Sequence, residues 1–305
     1  MTRGTLRIAA AQYPLSQLDN WDDYADKVSR WVGEAAFAGA RLLLFPEYGS
    51  MELVTLPPAP TGFAEHLDAL QRLLPDVLDL FSTLARRQEV HILLPSLLVR
   101  QPGGAVRNTA FLVGPDGSLG AQEKLVLTRF ERDRGVQAGD EVRVFDTSLG
   151  RLGICICYDA EFPLIARRQV EAGARLILVP SCTDGMAGYH RVRIGAQARA
   201  LENQCFVVQS PTVGLAPWSD MVDVNVGAAA VFCPADRGLP DDGVVAMGSL
   251  DEPQWLYAEL DFAALDAVRR DGQVLNHQHW PEHEVLGAAV TVRLGATAAG
   301  RDGRH

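Results

Sequence analysis

The sequence lacks any long uncharged apolar stretch. No window has the length and hydrophobicity that a signal peptide or a membrane-spanning helix requires, and the N-terminus leads directly into a short apolar run. This absence predicts a cytosolic protein that does not enter a membrane.

Basic residues are also scarce. The 305 residues include 28 Lys and Arg against 38 Asp and Glu, which gives a formal net charge of -10. A protein that binds nucleic acid through charge needs clustered Lys and Arg to neutralise phosphates. The balance therefore excludes that class and favours a small-molecule substrate.

Cysteine is present in an odd number, five, at irregular spacing. A disulfide framework is not expected in a long chain with this pattern, so we predict reduced thiols. The glycine-rich stretch 238–248 lacks a nucleotide-binding pattern, and no cofactor is predicted.

The sequence has no internal repeat and no linker rich in Pro, Gly or Ser. Hydrophobic residues make up 48% of the chain, which is enough for one large core. We predict a single domain over residues 1–286. The remainder, 287–305, lacks apolar periodicity and is expected to be a frayed tail.

Short apolar runs alternate with segments of helical periodicity, which predicts an α/β architecture. Turn chemistry at 101–104 and 114–117 predicts a hairpin and meander from His91 to Lys124. The predicted strands are 6–12, 41–45, 91–99, 142–147, 152–157, 175–180, 205–210, 227–232 and 255–260. The predicted helices are 21–37, 63–87 with a break near Pro75, 163–172 and 189–203.

Cys157 ends an apolar strand, and polar, helix-starting residues follow it at once. A side chain at such a turn points out of the sheet, and the amides of a first helical turn stabilise a thiolate or a nearby oxyanion. This placement is typical of a nucleophile. A buried structural cysteine remains the alternative.

Two other polar side chains share this placement just beyond an apolar run. Glu47 follows Phe45-Pro46, and a carboxylate there is a candidate general base, although a surface glutamate would have the same pattern. Lys124 follows the predicted meander, with Glu131 seven positions later. A solvated ion pair is the alternative for these two residues.

The order Phe-Pro-Glu, Glu-Lys-Leu, Cys-Tyr-Asp and Glu-Phe-Pro resembles the nitrilase superfamily of carbon-nitrogen hydrolases. The resemblance covers about residues 5–285. It is supported by 199–204, which is similar to the R-A-x-E-N-Q helix of that family. Residues 127–132 are closest to a bacterial branch of amidohydrolases whose members often lack an assigned substrate.

The resemblance implies a four-layer αββα sandwich and a Glu47-Lys124-Cys157 triad. Cys157 would be the nucleophile, Glu47 the general base, and Lys124 an oxyanion donor beside the backbone amide of Tyr158. Glu131 matches a second glutamate that orients the lysine or the substrate amide. Family members form dimers or larger homo-oligomers, which implies a contact near residues 161–171.

The resemblance also implies hydrolysis through a cysteine thioester. Tyr158-Asp159 favours amides over nitriles, since true nitrilases usually carry Trp-Glu there. Hydrolysis of N-carbamoyl compounds or nitriles, acyl transfer to an amine, and a catalytically silent binding protein remain alternatives.

Loops after the predicted strands supply candidate substrate-binding residues. Glu161 and Asp184 favour a cationic group on the substrate, but either residue would also suit a helix cap. The candidates are Tyr48, Glu161, Phe162, Cys182, Thr183, Asp184 and Trp218.

The His277, His279 and His283 cluster has imidazoles at alternate positions, as some zinc sites do. No matching set of four cysteine or acidic ligands is evident, so a C-terminal surface loop is favoured and no metal is predicted. Cys155 lies two residues from Cys157 on one face of a strand, a poor position for a disulfide, and is expected to fill the core.

Overall fold

The computed structural model describes residues 4–58, 62–292 and 294. The strands are β1 (Thr5–Pro14), β2 (Leu42–Leu44), β3 (His91–Leu93), β4 (Leu97–Arg100), β5 (Val106–Val113), β6 (Leu119–Glu123), β7 (Val144–Thr147), β8 (Gly150–Ile154), β9 (Leu176–Ser181), β10 (Phe206–Leu215), β11 (Val224–Asn225), β12 (Ala230–Phe232), β13 (Val244–Met247) and β14 (Gln254–Asp261). The helices are α1 (Trp21–Phe37), α2 (Phe63–Gln88), α3 (Arg129–Asp133), α4 (Pro163–Glu171), α5 (Met186–Asn203), α6 (Phe262–Asp271) and α7 (Asn276–Glu284). Short 3-10 segments cover Gly49–Thr55 and Cys157–Glu161.

Two mixed sheets form the centre of the molecule. The first contains β14, β1, β2, β3 and the β4-β5-β6 meander, in which β4 and β6 pair with β5 in antiparallel register. The second contains β7 to β10 with β12 and β13, and its three strands β8, β9 and β10 are parallel. The sheets meet where Tyr13 and Pro14 of β1 pair with Thr212 and Val213 of β10.

Successive side chains of β1 point into different cores, because a strand alternates its faces. Ile8 and Ala10 belong to the cluster shared with the second sheet, whereas Ala9 and Ala11 pack in the cluster with α1 and α2. Helices α4 and α5 cover the outer face of the second sheet. The layers are therefore helix, sheet, sheet, helix, which confirms the predicted αββα sandwich.

Helix α2 is continuous, so the predicted break near Pro75 is wrong. Proline removes one hydrogen bond from a helix interior. Here Leu70 before the proline and Phe81 after it are buried in the same core cluster. Burial of this apolar stripe on the first sheet outweighs the lost bond.

The predicted strand 91–99 is two strands, β3 and β4, separated at Pro95. Proline has no N–H for a strand ladder, so the chain leaves the sheet there. The next residue, Ser96, donates its backbone N–H to the carbonyl of Pro46 at 3.1 Å. The interruption thereby brings Ser96 against the segment that carries Glu47.

The histidine cluster lies on helix α7 rather than in the predicted loop. The helix is anchored at its start, where the backbone N–H of His277 donates to Oε1 of Gln204 at 3.0 Å. The Arg167 guanidinium lies over the ring of Trp280, at 4.6 Å from its centre. These contacts account for an ordered helix that has no buried side chain of its own.

Of the predicted frayed tail, the described residues 287–292 and 294 contain no helix or strand, and the rest lies outside the described residues. Within the part of the chain that the structure describes, no helix has the length and apolar character needed to cross a membrane.

Candidate active site

The backbone turns sharply at Cys157, three residues after the last residue of β8. Its φ of 49° is left-handed, a conformation that non-glycine residues seldom adopt and that is enriched at functional sites. The side chain is only 4% exposed, and its Sγ lies 3.7 Å from the carbonyl oxygen of Cys182. The turn thus holds the thiol in a fixed position at the end of the strand.

Asp159 holds this turn to the segment that follows Lys124. Its carboxylate accepts backbone hydrogen bonds from Ile156 at 3.1 Å, Val126 at 2.7 Å and Leu125 at 3.1 Å. Burial raises the pKa of Asp159 to about 7, against the opposing effects of Lys124 and these three amides. Asp159 therefore ties the turn at Cys157 to the lysine segment through backbone groups.

Lys124 lies between two buried carboxylates. Its Nζ is 2.7 Å from Oε1 of Glu47 and 2.8 Å from Oε2 of Glu131. Burial alone would lower the pKa of Lys124, but the two carboxylates outweigh it and raise that pKa. The lysine is consequently a permanent cation in this cluster.

The two glutamates respond differently to the same burial. Burial raises the pKa of Glu47, with a further contribution from Glu131, despite the opposing charge of Lys124. Burial also acts to raise the pKa of Glu131, but Lys124, the Thr128 amide and the Tyr48 hydroxyl outweigh it and lower that pKa. Glu131 is therefore the fixed anion, and Glu47 is the carboxylate that takes up a proton more readily.

Glu131 is oriented by both of its oxygens. Oε2 accepts from the backbone N–H and the hydroxyl of Thr128, each at 2.9 Å, in a capping box that begins α3. Oε1 accepts from the Tyr48 hydroxyl at 2.8 Å and from Nδ2 of Asn108 at 3.3 Å. These contacts leave the carboxylate little rotational freedom.

The Cys157 thiol is neutral at rest. Burial raises its pKa well above the ordinary value of 9.0, and Glu47 adds to that increase, whereas Lys124 opposes it. Because a thiolate is the reactive form, the thiol needs a base when it reacts. Glu47 is near enough to the thiol to influence its pKa and is the group suited to that role.

A cavity of about 350 Å³ opens over this cluster, a size that suits a small ligand. Most of the predicted site residues line it. These are Glu47, Tyr48, Lys124, Glu131, Cys157, Tyr158, Glu161, Cys182, Thr183 and Asp184.

Two predicted substrate-binding residues do not line the cavity. Phe162 packs edge-on against Tyr158, with ring centres 4.8 Å apart, and contacts the core. Trp218 is half-buried against the cluster on the α1 and α2 side. Both aromatic rings are used in packing, and their role as substrate contacts stays a prediction.

The mouth of the cavity carries several charges. Glu161 forms an ion pair with Arg191 at 3.7 Å, and Asp220 forms one with Arg134 at 2.6 Å. The helix-cap alternative for Glu161 and Asp184 is wrong. The N-cap residues of α4 and α5 are Phe162 and Gly185, and neither helix has a side-chain cap bond.

Sequence reasoning missed Asn108, Ser96, Thr128 and Arg191. The Thr128-x-x-Glu131 spacing is a capping-box signature and would have indicated Thr128. Asn108 offers only a weak signal, a polar residue at the start of the apolar run of β5. Ser96 and Arg191 have no local signal, because their roles depend on partners distant in sequence.

The other motifs have structural roles. Cys155 is fully buried and its thiol donates to Oε1 of Gln169 at 3.4 Å, which agrees with the predicted core position. Among the described residues, no group of three or more His, Cys, Asp or Glu side chains is arranged to hold a metal ion.

Comparison with known proteins agrees with this geometry. The sequence pattern of the carbon-nitrogen hydrolase family matches residues 7–270. A probable hydrolase of Bacillus subtilis (strain 168), YhcX, is 35% identical over 272 residues, which cover 88% of this chain and 52% of YhcX. The chain thus spans about half the length of that relative.

Two further proteins match along most of their length. The 2-oxoglutaramate amidase of Paenarthrobacter nicotinovorans is 29% identical over 296 residues, covering 90% of each chain. The crystal structure of a carbon-nitrogen hydrolase from Helicobacter pylori G27 superimposes with a TM-score of 0.75 at 19% identity, covering 93% of this chain and 96% of that one. The chain belongs to the carbon-nitrogen hydrolase family.

Proposed function

We propose that this carbon-nitrogen hydrolase family member hydrolyses a non-peptide carbon-nitrogen bond in a small amide, with release of ammonia and a carboxylic acid. One observation carries the proposal. The buried Glu47-Lys124-Glu131 cluster lies beside the neutral Cys157 thiol at the end of a cavity of small-molecule size.

In the first half-reaction, Cys157 Sγ attacks the amide carbonyl carbon while Glu47 takes the thiol proton. The developing oxyanion is stabilised by the Lys124 ammonium, which has three donors and uses two on glutamates, and by the Tyr158 backbone amide. Glu47 then gives its proton to the departing nitrogen. The carbon-nitrogen bond breaks and leaves a thioester on Cys157.

In the second half-reaction, Glu47 takes a proton from water, and the resulting oxygen nucleophile attacks the thioester carbonyl. The carbon-sulfur bond breaks, Cys157 regains its proton, and the acid leaves. Glu131 keeps Lys124 in place through both steps, because its own oxygens are held by Thr128, Tyr48 and Asn108.

Amides are favoured over nitriles because Tyr158-Asp159 follows Cys157, where true nitrilases usually carry Trp-Glu. Support for a small amide also comes from the name of one relative, 2-oxoglutaramate amidase. N-carbamoyl compounds are the second candidate, since their carbonyl presents the same electrophile. Release of carbon dioxide together with ammonia would identify them.

The charges at the cavity mouth bear on the acyl group. Glu161 and Asp220 already have arginine partners within 4 Å, whereas Asp184 is exposed and forms no ion pair among the described residues. A neutral or cationic acyl group suits this mouth better than an acyl group that carries a carboxylate.

The test is ammonia release from aliphatic amides, neutral, anionic and cationic ω-amides, N-carbamoyl compounds and nitriles. We expect the wild type to release ammonia from an amide and Cys157→Ala to lose at least about 1,000-fold of that rate, since it lacks the nucleophile. Cys155→Ala is the matched control, because that thiol is buried two residues away and lines no part of the cavity.

Hydroxylamine added to the working assay should trap the thioester as a hydroxamate. Nitrile turnover well above that of the matching amide would contradict the substrate class. Stoichiometric alkylation of Cys157 with no turnover across the panel would favour a binding protein instead.

A further inference from the structure

A buried amide lies between the two carboxylates of the active site. Asn108, on β5, is fully buried, and its Nδ2 is 2.8 Å from Oε1 of Glu47 and 3.3 Å from Oε1 of Glu131. An amide nitrogen carries two hydrogens, so it can donate one to each glutamate. This side chain contacts both carboxylates that flank Lys124.

The orientation of this amide is set by Ser96. The Ser96 hydroxyl accepts the backbone N–H of Tyr48 at 3.0 Å and donates its own hydrogen to Oδ1 of Asn108 at 2.7 Å. The opposite orientation would direct the amide oxygen at two carboxylates, which is electrostatically unfavourable. The serine therefore keeps the donating end of Asn108 toward the glutamates.

The amide also determines which oxygen of Glu47 is left for chemistry. Oε1 of Glu47 accepts from both Lys124 Nζ, at 2.7 Å, and Asn108 Nδ2, at 2.8 Å. The second oxygen makes no hydrogen bond to either of these donors. With Oε1 engaged twice, the other oxygen remains for the proton of Cys157.

We propose that Asn108, oriented by Ser96, is a positioning residue that holds Glu47 with one oxygen directed at Cys157 and keeps both glutamates ionised beside each other. The inference rests on the proposed function, since it concerns the same general base. Loss of a hydrogen bond to a carboxylate raises the pKa of that carboxylate. The pH at which Cys157 reactivity falls on acidification, the acid limb of its pH profile, should therefore depend on Asn108.

A purely structural amide is available for comparison. Gln122, on β6, is also fully buried, and it bonds only to backbone groups: Nε2 donates to Glu123 O at 2.7 Å and Glu141 O at 2.9 Å, and Oε1 accepts from Arg143 N at 2.9 Å. Gln122→Leu removes a buried amide from the adjacent strand without touching a carboxylate.

The experiment measures the rate of Cys157 alkylation by iodoacetamide against pH, with the Cys157 peptide quantified by mass spectrometry. It compares the wild type with Asn108→Leu, Ser96→Ala and Gln122→Leu. Because alkylation needs no substrate, the result stands even if the amide panel shows no turnover. Ammonia release in the same variants then tests the proposed function separately.

We expect Asn108→Leu to lower the alkylation rate at pH 7 by about 10- to 100-fold, which corresponds to one hydrogen bond to a charged group, and to move the acid limb to higher pH. Ser96→Ala leaves both carboxylate contacts possible but removes the orienting bond. Ser96→Ala should also move the acid limb to higher pH, and it should lower the alkylation rate at pH 7 by about 2- to 10-fold. Gln122→Leu should lower the melting temperature and leave the limb in place.

An acid limb that is the same in the wild type, Asn108→Leu and Ser96→Ala would overturn the proposal. A limb that moves equally in Gln122→Leu would also overturn it, because a general loss of packing would then explain the effect. If Asn108→Leu does not fold, the folded Ser96→Ala variant decides between the same two results.

Discussion

Among the residues that the structure describes, two buried Lys-Glu-Tyr clusters are found, and one of them lies beside the thiol of Cys157. In the active-site cluster, Lys124 contacts Glu47 and Glu131, and Tyr48 donates to Glu131 at 2.8 Å. In the distal cluster, Lys27 lies 2.5 Å from Glu52, and Tyr13 donates to Glu52 at 2.6 Å. Glu47 and Glu52 are only five positions apart.

The clusters differ in how their charges are matched. Burial lowers the pKa of Lys27, because its single carboxylate partner does not compensate fully, whereas two carboxylates raise the pKa of Lys124. Every contact of Glu52 is supplied by the fold, from Tyr13, Lys27 and the backbone of Ser16. A buried ion pair is therefore not in itself a sign of chemistry. The additional carboxylate and the adjacent thiol make the difference.

Removal of each lysine in turn should separate the two clusters most strongly. Lys124→Met leaves two buried carboxylates together and removes an oxyanion donor, so we expect activity to fall by about 1,000-fold or more. Lys27→Met should lower the free energy of unfolding by about 3–5 kcal/mol, since it leaves Glu52 buried without its cation. The folded Lys27→Met protein should keep activity within about threefold of the wild type.

Urea unfolding and ammonia release on the same preparations give both quantities. If Lys27→Met lost as much activity as Lys124→Met at full folding, the two clusters would not be functionally distinct.

Acidification should separate the clusters with a smaller effect. Burial raises the pKa of both Glu47 and Glu52 above the ordinary 4.5. Glu47 must be ionised to take the thiol proton, so we expect kcat/KM to fall about tenfold per pH unit below its raised pKa. The midpoint of this acid limb should lie above pH 4.5.

Over the pH range in which activity falls on acidification, these two carboxyls should make the folded state more stable. A carboxyl whose pKa is raised in the folded state binds a proton more readily when the protein is folded. Its contribution to stability is therefore present below pH 4.5, and it is lost as the pH rises through the folded-state pKa. Protonation of Glu47 or Glu52 thus does not unfold the protein. Circular dichroism melts and rates measured across the same pH series should show activity lost while the fold remains.

The smallest expected effect comes from the two tyrosine hydroxyls. Tyr48→Phe removes one of several contacts to Glu131 and should reduce kcat by about 3- to 10-fold with little change in KM. Tyr13→Phe should leave kcat unchanged and lower the free energy of unfolding by about 1.5–3 kcal/mol, the usual cost of a lost hydrogen bond to a charged group. Equal kinetic effects of the two substitutions would contradict the distinction.

Much of the fold was accessible from the sequence because its signals are local. The helical period of the apolar residues predicts helix α1 with its observed bounds, and the structure shows Asn20 as its N-cap. Two of the errors occurred at prolines. Tertiary burial carried α2 through Pro75, whereas Pro95 ended β3, and periodicity alone does not distinguish these outcomes.

The active site divides in a similar way. Glu47, Lys124 and Cys157 each follow an apolar run, and their order along the chain carried the family resemblance. Asn108 lies 61 positions from Glu47, and only the arrangement of β5 in the first sheet brings the two side chains together. The aromatic candidates Phe162 and Trp218 could not be assigned from sequence, because packing and substrate contact require the same residue types.

The left-handed backbone at Cys157 has a consequence for the stability of the fold. At that conformation the fold itself favours glycine, the residue that adopts it without a steric penalty. A cysteine there is thus held against a local conformational preference. Glycine at position 157 would relieve that strain, so the thiol is present at a cost to the stability of the fold.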